Sequence, residues 1–172
     1  PDVNILKSYN LEPEKYIIIR LSALQAHHDT QIKGISSGLQ KKIKDSISEY
    51  TILESDEKNK NHVIKPWDMH HILAYAKMII SDSQTMTTEA AVLGRPSVRI
   101  NDFVGRISYI EELEFKYELT FGFKPSEDEL ILTKVSDLAF GKNIEGQWAE
   151  KRRRLLNEKI ELTTWMINYF GC

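Results

Sequence analysis

The sequence predicts a doubly wound α/β domain built on a parallel sheet of about six strands. Two observations indicate this fold: short β-branched runs alternate with amphipathic segments from residue 16 onward, and the first run, Tyr16–Leu21, is apolar almost throughout. Such a run is typical of a central parallel strand, which helices cover on both faces. A chain of 172 residues suffices for one domain with a full core, and we treat residues 1–172 as that domain.

The elements follow from the spacing of apolar residues and from turn chemistry. Asp68 is expected to cap a helix, Gly94 to end one, and a polar loop to span 54–61. Strands are expected at 16–21, 51–53, 62–64, 78–81, 97–100 and 119–121. Helices are expected at 34–50, 69–76, 87–93, 107–117, 127–138 and, within a closing segment 145–172, at 147–170.

Composition excludes several classes of protein. A net charge of -2 gives no field that would draw the molecule onto nucleic acid. The single Cys172 permits neither an internal disulfide nor a cysteine-rich zinc site, and this suits a cytoplasmic location. No apolar run approaches the length of a membrane span, and the first residues do not predict a signal peptide. Because the chain begins at Pro1, we expect it to be part of a longer protein.

Ligands of open α/β sheets bind outside the carboxyl ends of the strands, so the loops after strands are the candidate site. Three of these loops carry polar or aromatic residues, at 22–29, 65–71 and 82–89. We therefore expect a binding site that these three loops share.

The loop at 82–89 leads directly into a helix and predicts an anion site. Free amides and the positive end of the helix dipole favour a phosphate, and Ser83, Thr85 and Thr87 add hydroxyl donors. Glu89, one turn later, could accept hydrogen bonds from sugar hydroxyls. The alternative is an ordinary helix start, in which Ser83 or Thr85 caps the amides and Glu89 completes the capping interaction.

Residues 80–96 read ISDSQTMTTEAAVLGRP, which resembles the phosphate-and-ribose motif of GT-B proteins. The Asp-Ser and Glu-Ala pairs are similar to those of UDP-N-acetylglucosamine 2-epimerases. The chain from Pro1 to about residue 120 also resembles a family of archaeal and bacterial GT-B-type proteins, on the motifs SDSQTM and NDFVGR. The resemblance implies a Rossmann-like C-terminal GT-B domain, with an N-terminal domain of the same protein as its partner.

The resemblance also implies a role for individual residues. Glu89 would hold the ribose, Ser83 and the amides of 85–87 the phosphates, and the turn at 67–69 the uracil. Arg99 and Arg106 would approach the phosphates or the sugar. The residues implied to bind the ligand are Ser22, Trp67, Met69, Ser83, Gln84, Thr85, Met86, Thr87, Glu89, Arg99 and Arg106.

The implied ligand is UDP or a UDP-sugar, and the implied function is donor binding in a glycosyltransferase that requires no metal or further cofactor. The chain departs from the related patterns in lacking a glycine-rich loop after the first strand, in having Ser81 where many retaining transferases have glutamate, and in having Gln84-Thr85 where 2-epimerases have two glycines. Two alternatives therefore stay open: a 2-epimerase-like enzyme, and a nucleotide-binding regulatory module without catalysis.

Histidines are the candidate acid–base groups. His27 and His28 follow the first strand and titrate near neutrality, so we expect a catalytic role at the cleft; a solvated loop and a metal site are the alternatives. His70 and His71 lie within a predicted helix and are expected to be structural.

The closing segment combines a basic run with apolar residues. Residues 151–154 are expected to form a solvated helix face, with contact to an anionic membrane surface as the alternative. Trp148, Leu155, Trp165 and Tyr169 are expected to cover the sheet or the N-terminal domain. Without that domain they would leave an apolar patch, so we expect self-association into a homo-oligomer at high concentration.

Overall fold

The computed structural model describes residues 1–22, 33–57 and 64–171, and it confirms the α/β class. Within these ranges five strands form one parallel sheet in the order β2-β1-β3-β4-β5. The strands are β1 (Tyr16–Leu21), β2 (Thr51–Asp56), β3 (Met78–Ser81), β4 (Ser97–Ile100) and β5 (Thr120–Phe123).

Helices connect the strands and complete the chain. Short 3-10 turns occupy Val3–Tyr9 and Pro66–Asp68, and a π turn, Glu112–Lys116, continues the fourth helix. The α-helices are α1 (Ser37–Ser46), α2 (Met69–Tyr75), α3 (Gln84–Leu93), α4 (Ser108–Glu111), α5 (Asp128–Phe140), α6 (Ile144–Glu158) and α7 (Leu162–Phe170).

The sheet is buried on both faces, which explains the apolar first strand. Ile17 and Ile19 belong to the core cluster that contains residues of α1, α5 and α6, whereas Tyr16 and Ile18 belong to the cluster beneath α2 and the N-terminal turn. Because successive strand residues point to opposite faces, each of these strand residues must be apolar.

The strand order determines where a crevice opens at the edge of the sheet. The chain runs from β1 outward to β2, then returns past β1 to β3 and continues outward to β5. The order therefore reverses between β1 and β3, and such a switch point opens a crevice at the carboxyl ends of the two strands.

Several element boundaries differ from the sequence prediction. The strand expected at 62–64 falls partly outside the described residues, and its last residue, Ile64, lies outside the sheet. The described sheet therefore has five strands. The strand β2 continues to Asp56, where a loop was expected, because it pairs with β1 through Leu21. The helix α1 is shorter than expected, since Ser36 caps it by accepting from the Leu39 amide at 3.2 Å.

The prediction of one long closing helix is wrong. The chain breaks between α6 and α7, where Glu161 accepts hydrogen bonds from the amides of Thr163 and Thr164 and so begins a new helix. Trp148 and Leu155 are buried as expected, whereas Trp165 and Tyr169 are exposed on α7. The expected apolar patch is therefore present. None of the helices in the described part of the chain is long and apolar enough to cross a membrane.

Candidate functional site

The start of α3 lies at the switch point and offers backbone donors. Ser83 caps the helix: its Oγ accepts from the Met86 amide at 3.4 Å, and its carbonyl accepts from the Thr87 amide at 3.4 Å. The Ser83 amide donates to Ser81 Oγ at 2.9 Å. Among the described residues, the amides of Gln84 and Thr85 are left without an acceptor. The free donors are thus 84 and 85, not the expected 85–87.

The hydroxyls at this helix start are not equivalent. Thr87 is fully buried, and its Oγ1 donates to the carbonyls of Ser83 at 3.0 Å and Gln84 at 2.9 Å. Its hydroxyl therefore faces the helix backbone, and the expected ligand contact is not available to it. Thr85 is exposed and Ser83 half-buried, so both can reach a ligand.

Glu89 does not occupy a capping position. With Ser83 as N-cap, the partner in a capping box would be Met86, and Glu89 lies one further turn along the helix. Its Oε2 lies 3.2 Å from Nε2 of His70 on α2. The Glu89 side chain is 32% exposed, so a ligand can reach the carboxylate.

A pocket of about 210 Å³ lies between α2 and α3 at the carboxyl edge of the sheet. It joins segments that are far apart in sequence: the end of β1, the turn before α2, and α3. The carboxylate of Glu89 and the guanidinium of Arg20 provide its charges, and methionine, isoleucine and proline side chains provide its apolar wall. The lining residues are Arg20, Ile64, Pro66, Met69, His70, Met86 and Glu89.

The turn at Pro66–Asp68 is fixed by a contact with the N-terminal segment. Asp68 was expected to cap α2 with its side chain, but its Oδ2 accepts from the Tyr9 hydroxyl at 2.7 Å instead. The same hydroxyl accepts from the Lys65 amide at 3.1 Å. Trp67, at the tip of the turn, is 71% exposed, whereas Met69 is buried against the pocket.

Asp82 links three loops at this edge. Its Oδ1 accepts from the Ser22 amide at 2.6 Å, which ties down the end of β1, and its carbonyl accepts from Nδ2 of Asn101 after β4 at 2.8 Å. Burial raises the pKa of Asp82, although the Ser22 hydrogen bonds oppose this shift. The backbone of Ser22 is therefore held beside the candidate site.

The two arginines expected to contact the ligand differ in position. Arg106 is exposed on the loop after β4. Arg99 is fully buried on β4, with Nη2 lying 3.5 Å from Glu111 Oε1 and 3.8 Å from Glu114 Oε2. A ligand at the surface does not reach this guanidinium, because β4 directs the side chain into the covered interior beside Gly122.

The histidines fall into two groups. His27 and His28, expected to be catalytic, lie outside the described residues. His70 is exposed and adjoins Glu89 at the pocket, a placement that its position in a helix did not indicate. His71 accepts from the Asp2 amide at 2.7 Å through Nδ1, which is the expected structural role. Within the described ranges, no group of three or more His, Cys, Asp or Glu residues could hold a metal ion.

Sequence reasoning missed Arg20. Its side chain is 15% exposed, lines the pocket, and forms hydrogen bonds with Ser55 Oγ and, at 2.9 Å, with Glu57 Oε1. The available signal was a single charged residue in an otherwise apolar central strand, because a buried charge requires partners or a function.

The basic run 151–154 is largely engaged with the domain. Lys151 lies over the Trp148 ring and donates to the Glu118 carbonyl at 3.2 Å, and Arg152 Nε donates to the Val92 carbonyl at 2.7 Å. Arg153 pairs with Glu150 one turn earlier. The expected solvated face is therefore found only in part: Arg153 and Arg154 are exposed, whereas Lys151 and Arg152 are half-buried against the domain.

No protein-family model matches the chain, and no curated protein matches it in sequence. Solved structures do match. The spinosyn forosaminyltransferase SpnP has a TM-score of 0.57 at 16% identity, over 89% of this chain and 42% of its own. Medicago truncatula UGT71G1, in complex with UDP-glucose, has a TM-score of 0.57 at 12% identity, over 92% and 40%.

A third structure comes from the epimerases. The Methanocaldococcus jannaschii UDP-GlcNAc 2-epimerase, in complex with UDP-GlcNAc and UDP, has a TM-score of 0.52 at 14% identity, over 92% of this chain and 49% of its own. These likenesses confirm the predicted fold, a Rossmann-like domain of GT-B type. The chain spans less than half the length of each of these three proteins.

Proposed function

We propose that this chain is the nucleotide-sugar-binding domain of a GT-B glycosyltransferase, with a UDP-sugar as its ligand. The observation that carries the proposal is the pocket at the switch point: Glu89 lines it, and the helix that bears Glu89 begins with two free amides. A carboxylate suits the ribose hydroxyls, and the amides suit a phosphate.

The pocket and the adjoining start of α3 would each hold part of the ligand. The apolar wall formed by Ile64, Met69 and Met86 suits the flat face of a base, and the backbone of the adjoining turn suits its polar edge. Gln84 and Thr85 would bind the diphosphate through their amides. Arg106 would add a positive charge that stabilises the leaving diphosphate as the sugar is transferred.

The size of the pocket supports a second domain. Sites that enclose a small ligand commonly measure about 300–1,000 Å³, and this pocket measures about 210 Å³. One domain would therefore cover only part of a nucleotide sugar. An N-terminal domain of the same protein would supply the acceptor site and the remaining walls.

Calorimetry of the isolated chain with UDP, ADP and GDP tests the proposal. We expect weak binding with a preference for UDP, and no turnover of UDP-sugars, because the cleft is incomplete. Absence of binding to all three nucleotides would contradict the nucleotide site, and robust turnover by this chain alone would contradict the two-domain arrangement.

Epimerisation of a UDP-N-acetylhexosamine is the second candidate, and the structural likeness to the 2-epimerase that holds UDP-GlcNAc and UDP favours it. Product analysis of the full-length protein separates the candidates. Transfer requires an acceptor and releases UDP, epimerisation requires no acceptor, and a regulatory module gives neither product.

A further inference from the structure

One row of residues crosses the whole sheet near its carboxyl edge. The register places one residue of each strand directly opposite its neighbour, and residues that lie opposite share a face of the sheet. The row runs Ser55, Arg20, Ser81, Arg99 and Gly122. It contains two arginines, of which Arg20 opens into the pocket and Arg99 is enclosed.

The enclosed guanidinium is poorly satisfied by hydrogen bonds. None of the three nitrogens of Arg99 has a hydrogen-bond partner among the described residues, and its ion pairs with Glu111 and Glu114 measure 3.5 and 3.8 Å. Burying a charge in this way is costly, and in some proteins such a charge is retained because it fixes a particular arrangement. The arrangement that Arg99 fixes is therefore informative.

Both glutamates also accept hydrogen bonds from backbone amides. Glu111 Oε1 accepts from the Gly105 amide at 3.1 Å, and Glu114 Oε1 accepts from the Gly122 amide at 2.8 Å. Gly105 has a φ of +82° and directly precedes Arg106. Arg99 is thus connected to the backbone beside Arg106 through one carboxylate.

Gly122 supports the same arrangement. A Cβ atom at this position would lie 2.9 Å from Glu114 Oε2 and 3.0 Å from Arg99 Nη2, closer than side chains normally approach. Glycine therefore leaves the space in which the arginine and the carboxylate meet.

The start of the loop 101–107, which contains Gly105 and Arg106, is bonded to the candidate site. Nδ2 of Asn101 donates to the Asp82 carbonyl at 2.8 Å, and its Oδ1 accepts from the Phe103 amide at 3.0 Å. The loop 101–107 is thus held at Asn101 by the segment that leads into α3, and at Gly105 by the Arg99 cluster.

We propose that Arg99 is a positioning residue: with Glu111 and Glu114 it fixes the loop 101–107, so that the exposed Arg106 faces the diphosphate of the ligand. This inference rests on the proposed nucleotide-sugar site. It gives Arg99 an indirect role, in which it never contacts the ligand.

A double-mutant cycle tests the inference. We expect Arg106→Ala to weaken UDP binding about tenfold and to leave uridine binding unchanged, because Arg106 meets only the phosphates. Arg99→Met should produce a similar loss for UDP alone, and Arg99→Met combined with Arg106→Ala should be no weaker than Arg106→Ala. Arg99→Lys should restore part of the loss. Glu111→Ala, which removes the hydrogen bond to Gly105 and one of the two ion pairs of Arg99, serves if Arg99→Met does not fold.

Hydrogen exchange at the Gly105 amide provides a readout that does not depend on the ligand. Exchange should accelerate in Arg99→Met and in Glu111→Ala. The inference would be overturned if exchange at Gly105 were unchanged in these variants, or if Arg99→Met kept full UDP affinity despite a lowered melting temperature. Additive losses of UDP affinity in the double variant would also overturn it. If the wild-type chain binds no UDP while exchange still accelerates, the nucleotide site fails and the fixing of the loop is supported.

Discussion

Two pockets lie at opposite edges of the same sheet, and the larger one is the poorer candidate. The pocket at the amino edge measures about 290 Å³ and surrounds the starts of β1 and β2. The pocket at the carboxyl edge measures about 210 Å³. The amino-edge pocket is lined by Asn10, Leu11, Glu12, Lys15, Tyr16, Glu49 and Thr51.

The comparison favours topology and chemistry over pocket volume as the basis for choosing the candidate site. None of the residues that line the amino-edge pocket lies at a helix start, whereas Glu89 in the carboxyl-edge pocket belongs to α3, whose first two amides, those of Gln84 and Thr85, are free among the described residues. The crossovers of a doubly wound sheet direct helix N-termini toward the carboxyl edge, so anion-binding groups gather there. Glu89 in the carboxyl-edge pocket and Glu49 in the amino-edge pocket form a matched pair for experiment.

The largest expected effect is that of Glu89→Ala on UDP affinity. A hydrogen bond to a charged group contributes about 1.5–3 kcal/mol, so loss of the ribose contact should weaken binding roughly ten- to a hundredfold or more. The melting temperature should change little, because Glu89 does not cap its helix. Glu49→Ala, in the amino-edge pocket, is the matched control and should bind UDP like the wild type. Equal affinities for both variants would remove the main residue-level support for the site.

Gln84→Pro isolates the backbone donor. Proline is tolerated at the first position of a helix, and the preceding Ser83 has the extended backbone that proline requires, with φ −81° and ψ 127°. The variant should therefore fold while lacking one free amide, and UDP affinity should fall about tenfold with little change for uridine.

Gln84→Ala removes the same side chain and keeps the amide, so the difference between the two variants measures the amide alone. Equal UDP affinities for Gln84→Pro and Gln84→Ala would show that the phosphates lie elsewhere.

Asp82→Asn tests the buried carboxyl beside the pocket through its pH dependence. Burial raises the pKa of Asp82 in the folded chain above its ordinary 3.8, so the wild type loses stability as the pH rises through the folded-state pKa. Asparagine does not titrate, and its oxygen can still accept from the Ser22 amide. The melting temperature of Asp82→Asn relative to the wild type should therefore rise between pH 3 and pH 7. A difference that stays constant with pH would contradict the raised pKa.

The smallest expected effect is that of Thr87→Val. The Thr87 hydroxyl bonds only to helix carbonyls and is fully buried, so its loss should cost about 1 kcal/mol of stability at most. Thermal melts measure this loss of stability, and calorimetry on the same sample measures the UDP affinity. A large loss of UDP affinity would show that the helix start rearranges when the ligand binds.

Local patterns were sufficient for the fold. The apolar run of Tyr16–Leu21 requires two covered faces, and Gly94, at φ +77°, ends α3 where expected. The break before α7 was missed because apolar residues continue at helical spacing through it, and a glutamate cap such as Glu161 resembles any surface glutamate. The sequence therefore specifies element types more clearly than their ends.

The candidate site could be predicted only in part. Glu89 and the start of α3 share one contiguous motif, which sequence reasoning can find. The approach of His70 to Glu89 and the enclosure of Arg99 by Glu111 and Glu114 depend on how separate elements pack. Spacing along the chain did not show that both faces of β4 are covered as far as Arg99, so an arginine expected to approach the ligand proved to be interior.

The location of the ligand is tested most directly by titrating the isotopically labelled chain with UDP and following the backbone amides by NMR. We expect the largest shift changes at the amides of Gln84 and Thr85, with smaller changes at His70 and Glu89 along the pocket. The amides of the amino-edge pocket, including Lys15, Glu49 and Thr51, should not move. Shifts concentrated at that opposite edge, or no shifts at UDP concentrations that saturate binding in calorimetry, would contradict a nucleotide site at the switch point.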